Sequence, residues 1–232
     1  MVIGILGVIL AITIPSIRGA KSTADRAALA AHQQQVFRAL HQYTADHRDD
    51  FPYWGVPGTH FAHLEHRGHT VTANHWEQFY FWGAYLEING YNGRISAIAG
   101  AGIMRDDENV IYPTGVAEHN THTFRSIHEL TRTAHATPEF FTTGGAQNVA
   151  QHAGQRISVV AFPAHKGVLI QFVGALLPEH TDPRRWRPPI TFADGHAETP
   201  RLGAMLPGAT TPAGGLTPVH FTERGLLGRD TR

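Results

Sequence analysis

Cysteine is absent from all 232 residues. Disulfides, thiolate zinc sites and cysteine nucleophiles are therefore excluded. Charge is also scarce. Asp, Glu, Lys and Arg make up 16% of the chain, and 19 basic residues balance 19 acidic ones. Phosphate recognition shows as a basic excess, so no nucleic-acid partner is expected. There is no Gly-x-Ser-x-Gly elbow, no His-Glu-x-x-His helix and no internal repeat. Gly100-Ala101-Gly102 lacks the third glycine of a dinucleotide loop, since Arg105 stands in its place. No catalytic residue is assigned, and no enzyme activity is expected.

Histidine is abundant instead, with 17 copies that make the charge depend on pH near 6. His60, His63, His66 and His69 recur every third residue. On a helix that spacing would place imidazoles on one face, where zinc, copper or nickel could bind. The plainer reading is a polar surface loop, because Gly58 and Gly68 flank the run. Asp194-Gly195-His196 offers a carboxylate beside an imidazole, with His165 as a further ligand. Asp-Gly is also a strong turn signal, because glycine tolerates positive φ. Asp106-Asp107-Glu108 offers oxygens for calcium, but it lacks spaced ligands and reads first as a solvated turn. No cofactor is required by these patterns. Calcium and zinc are the candidate ions, with His60, His63, His66, Asp194 and His196 as candidate ligands.

The N-terminal stretch has a different character. Met1 to Ile17 carries no charge and no histidine. It falls slightly short of the roughly 20 apolar residues of a membrane-spanning helix. No Lys or Arg precedes it, as a secretory leader would require. It fits a buried core helix, a shortened signal, or the remainder of a membrane-anchoring helix. The sequence that follows favours the last, because helical spacing continues through Ile17, Ala20, Ala24, Ala28 and Ala31. Leu29, Val36, Leu40 and Tyr43 extend it on a neighbouring stripe. Pro15 is the one interruption, and the stop is expected at Asp49-Asp50-Phe51-Pro52. Such an element would run about 70 Å.

The run from Val2 through Ile14 to Pro15 resembles the prepilin-type N-terminal segment of type IV pilins and type II secretion pseudopilins. The amphipathic continuation to Phe51-Pro52 fits the same pattern. So does a proline-plus-lysine strand, Val159 to Ile170, followed by Asp194-Gly195-His196. The family form places a histidine where this chain has Arg184. The family's cleavage site, with glycine, phenylalanine and glutamate, is expected upstream of Met1.

The resemblance implies a structural subunit anchored single-pass in the bacterial inner membrane, with its head in the periplasm. It implies assembly into a pseudopilus or a cell-surface filament serving protein transport. Val2, Ile3, Ile5, Leu6, Val8, Ile9, Leu10, Ile12 and Ile14 would pack against lipid or sister helices, and Pro15 would supply a local break. Partners implied are other pilin or pseudopilin subunits, membrane lipid, a prepilin peptidase and an inner-membrane assembly platform. The alternative is a membrane-tethered periplasmic binder of metal or ligand, using its histidines.

The expected fold is α+β and pilin-like: a long N-terminal helix packed on an antiparallel β-sheet head. Its divisions are a helix over 1–50, a head over 51–199 and a Gly/Pro/Thr-rich tail over 200–232, read as loop or partly disordered. Within the head, Trp76 to Leu86 is aromatic and buried, and its periodicity fits helix or strand. Ile157 to Phe162 and Gly167 to Val173 read as strands, Ile190 to Phe192 as the first arm of a hairpin, and Phe124 to His135 as a short helix.

Overall fold

The computed structural model describes residues 2–66, 69–91, 128–171, 187–210 and 218–232. Helix α1 spans Val2–Asp46. Its backbone stays helical through Pro15, so the expected break is not a break in the helix. It ends when Arg48 and Asp49 enter the left-handed region, just short of the expected stop.

Among the described side chains of α1, only those of its last turns are docked. Gln33, Val36, Phe37, Leu40, Tyr43 and Thr44 are buried, while the residues described upstream of Ala30 are exposed. The buried spacing of three and four is the stripe of an amphipathic helix. Val36, Phe37, Leu40 and Tyr43 meet Phe51, Trp82, Leu86, Leu130, Val168, Leu169 and Leu226 in one core.

Strands β1, Phe61–His66, and β2, His69–Asn74, form a two-stranded antiparallel hairpin. Asn74 then caps a short 3-10 turn, His75–Glu77, by accepting from the backbone of Trp76 and Glu77, and Glu77 accepts in return from the Asn74 amide. Helix α2, Gln78–Ile88, follows directly. This resolves the aromatic stretch from Trp76 as helical. Its Phe81 packs on Leu64 and Ala73 of the hairpin, and the Trp82 indole donates to the carbonyl of His128 at 2.7 Å.

The second sheet is four-stranded and antiparallel, in the order β3-β4-β5-β6. Its strands are β3 (His128–Leu130), β4 (Gly167–Gln171), β5 (Ile190–Phe192) and β6 (Ala197–Glu198). The expected hairpin is present, with Ile190 opposite Glu198 across the Asp194-Gly195 turn. Two expectations fail. His128–Leu130 is a strand inside the stretch read as a helix, and Ile157–Val159 is a 3-10 turn inside the stretch read as a strand. In both, pairing decided the outcome: Leu130 faces Leu169 of β4, while Ile157 bonds back to the carbonyl of Asp49.

The C-terminal segment is irregular but built into the core. Val219 packs with Ile170, Ile190, Phe192 and Met205. It sits so close to β4 that a Cβ on Gly167 would come within 2.8 Å of Ile190 and 2.9 Å of Val219. Only a residue without a side chain fits there.

The expected pilin-like fold is corrected. Among the described residues the strands divide into two antiparallel sheets joined by many small turns, and the part of α1 packed against the head is about 17 residues long. Among the described residues no helix lies along a sheet over its whole length, because the head covers only the amphipathic end of α1.

The expected transmembrane, inner-membrane placement is corrected as well. Among the described residues no helix is long and apolar enough to cross a membrane. The apolar run ends at Ile14, about 20 Å at the helical rise, against a hydrocarbon core of roughly 30 Å. Beyond it come Ser16, Arg18 and Lys21.

Candidate functional site

Upstream of the docked turns, α1 presents large apolar side chains to solvent. Ile12, Ile14 and Ile17 are 69%, 46% and 61% exposed. Their neighbours Gly19, Ala20, Thr23, Ala24, Ala27 and Ala28 are small and exposed. Fully burying an isoleucine is worth about 1.5–3 kcal/mol, so this surface favours a covering partner. Its small residues would let another helix axis approach closely. Of the expected packing residues, Ile12 and Ile14 are described in full. The side chains of Val2, Ile3, Ile5, Leu6, Val8, Ile9, Leu10 and Pro15 lie outside the described residues.

A groove of about 550 Å³ runs where α1 leaves the head, lined by Thr23, Ala27 and Ala30 on the helix and Ala197 to Pro200 beside the sheet edge. The helix bank is made of small residues only, so the groove continues the exposed small-residue surface of α1 to the head, where Glu198 stands on the facing bank.

The histidines do not gather as their spacing suggested. His63 lies on strand β1, exposed and bonded to Thr72 across the hairpin at 3.0 Å. His66 ends the same strand, opposite His69. A strand has period two, so positions three apart alternate between faces. His60 precedes the strand and faces His152 instead, with ring centroids 6.0 Å apart.

A histidine cluster that spacing did not reveal lies behind His60. The rings of His75 and His152 stack in parallel at 3.7 Å, and His135 stands 6.3 Å from His75. Trp76 and Phe140 close the group. Local structure sets each ring. The His152 Nδ1–H donates to the carbonyl of Thr59 at 3.2 Å, and the His135 Nε2–H donates to the carbonyl of Pro52 at 3.2 Å.

Burial pushes these imidazoles below the usual histidine range. His75 falls to about 2, mainly through burial and then through its histidine neighbours. His135 falls to about 4 through burial, against the opposing bond to Pro52. His152 is lowered by burial too. The hollow in front of His75 and His152, about 530 Å³, therefore presents these two rings neutral near pH 7. Such a surface can receive a planar, uncharged group.

Asp194 and His196 are brought together, with Asp194 Oδ1 2.5 Å from His196 Nδ1. The imidazole stacks on Phe192 at 4.4 Å, and Glu198 lies 3.6 Å from its Nε2. Asp194 also accepts from the His196 backbone amide, which makes the pair the lock of a turn. His165 is elsewhere, bonded to Thr231. Among the described residues no group of three or more His, Asp or Glu side chains is placed to hold a metal ion. Asp106, Asp107, Glu108 and Gly100 to Gly102 lie outside the described residues.

No family model, no curated protein and no solved structure matches the chain.

Proposed function

We propose that the chain is a structural subunit that assembles with its own copies, or with related chains, through the outlying part of α1. This is the role of the pseudopilins that its N-terminal run resembles. The exposure of Ile12, Ile14 and Ile17 on a helix whose far end is fixed in the head carries this reading. With a membrane span set aside, sister helices are the shelter left for that surface.

Self-association is favoured by the geometry of the contact. A helix that projects from one head and covers itself on the next makes a head-to-tail contact, and such contacts build rings or open filaments. The neutral overall charge lets copies approach without strong mutual repulsion.

Sedimentation velocity over a range of concentrations tests the reading. The intact chain should form large species whose share grows with concentration. The double substitution Ile14→Asp and Ile17→Asp should leave monomer, with an unchanged near-ultraviolet circular dichroism spectrum as evidence that the head is intact. Undiminished association of the double variant would overturn the proposal.

A further inference from the structure

Lys166 immediately precedes β4 and is completely buried; Asp230 lies two residues from the last position and is 1% exposed. Lys166 Nζ stands 3.0 Å from Asp230 Oδ2, 2.9 Å from the carbonyl of Val219 and 2.6 Å from Thr222 Oγ1. Asp230 Oδ2 also accepts from the amide of Gly167 at 2.9 Å. Asp230 Oδ1 accepts from the amide of Val219 at 2.9 Å and from the hydroxyl of Thr222 at 2.6 Å. The amine and the carboxyl are thus in contact, shut off from water, and held by fixed neighbours on every side.

We propose that the folded chain joins these two side chains by an amide cross-link between Lys166 Nζ and Asp230 Cγ.

A low-polarity pocket disfavours separated charge. Burial pulls the Lys166 amine below its ordinary range, against the opposing pull of Asp230. One proton moving from Nζ to Oδ2 turns the ion pair into a neutral amine and a carboxylic acid. A neutral amine has two hydrogens. The carbonyl of Val219 and the hydroxyl of Thr222 accept both, which leaves the nitrogen lone pair on the side of the carboxyl.

Nζ then bonds to Cγ, and the electrons of the C=O bond collect on Oδ1. That oxygen already has two donors, the Val219 amide and the Thr222 hydroxyl, in the arrangement that stabilises an oxyanion. The nitrogen passes one hydrogen to Oδ2, the Cγ–Oδ2 bond breaks, and Oδ2 leaves as water. One C–N bond forms, one C–O bond breaks, one water is released, and nothing is oxidised or reduced. Contact near 3 Å in a fixed orientation replaces the activation that free reactants would need, and the dry surroundings oppose the reverse hydrolysis.

The bond would tie the start of β4 to the C-terminal segment and close the chain into a covalent loop. It would remove two buried charges while keeping the Val219 amide and the Thr222 hydroxyl on Oδ1. The inference is independent of the assembly reading.

The test is tryptic digestion of the denatured full-length chain, followed by mass spectrometry. The cross-link predicts a branched product in which 157–184 remains uncut at Lys166 and carries 230–232, lighter by one water than the two parts together. The Lys166→Arg and Asp230→Ala chains should lack it. Recovery of Lys166 only at an ordinary cleaved site would overturn the proposal. The wild-type digest decides this alone, whether or not either variant folds.

Discussion

His135 is enclosed between Pro52, Tyr53 and Arg132, and His75 between His152, Trp76 and Tyr53. Both rings are neutral when folded and titrate near 6.5 when unfolded. The unfolded chain therefore binds more protons below that pH. The stability each ring contributes is fully present above about 6.5 and declines as pH falls, until His135 takes a proton near 4 and His75 near 2. For His135 the loss is on the order of 3 kcal/mol. Thermal unfolding followed from pH 7 to pH 4 should show a falling midpoint. The fall should be shallower for His135→Gln, whose amide can still donate to Pro52. Gln33 makes a separate prediction. It is fully buried in the docked part of α1, and among the described residues neither atom of its amide has a hydrogen-bond partner. Leaving polar atoms unsatisfied costs about 1–3 kcal/mol. Gln33→Met should therefore raise the urea midpoint, by about 1 kcal/mol or more of stability.

At the scale of elements, the β5–β6 turn is where sequence and structure agree most closely. Gly195 has φ of +90°, and a Cβ there would sit 3.1 Å from the ring of Phe37. Gly195→Ala should therefore strain the turn and push on α1 together, at a cost of about 1–3 kcal/mol. Chemical denaturation measures it, and a variant as stable as wild type would show that the turn does not bear on the helix. This turn was legible because Asp-Gly dictates local backbone shape. The helical docking stripe was legible because Val36, Leu40 and Tyr43 repeat at helical spacing. The β1–β2 hairpin is masked in the sequence by its histidines, whose three-residue recurrence overlies the short buried alternation of Ala62 and Leu64. Partners distant along the chain left no local trace: His75 beside His152, Lys166 beside Asp230. Sequence spacing reports neighbours on one element, whereas these contacts depend on how separate segments fold together. The span over which α1 is docked is not legible in the sequence for a related reason. Periodicity shows which face of α1 is apolar, but not how far along it the head reaches.

For the whole molecule, the division of α1 separates folding from association. Every buried α1 side chain described lies at or beyond Gln33, and Val36, Phe37, Leu40 and Tyr43 share one core with α2, the four-stranded sheet and the C-terminal segment. A chain shortened to begin at Ala30 keeps all of these contacts. It loses exposed Ile12, Ile14 and Ile17, which contribute no packing inside the head. Such a chain should fold with a melting temperature within a few degrees of a monomeric full-length variant, because unpacked surface residues usually change stability by less than about 0.5 kcal/mol. It should also sediment as a monomer at concentrations where the intact chain associates. By contrast, Leu40→Ala in the shortened chain should cost about 2–5 kcal/mol, since it opens a cavity where α1 meets Trp82 and Leu130. Calorimetry and sedimentation on these chains measure the two properties separately. A head that melted far earlier once residues before Ala30 were removed would mean that the outlying helix supports the fold. Its exposed isoleucines would then no longer argue for a partner.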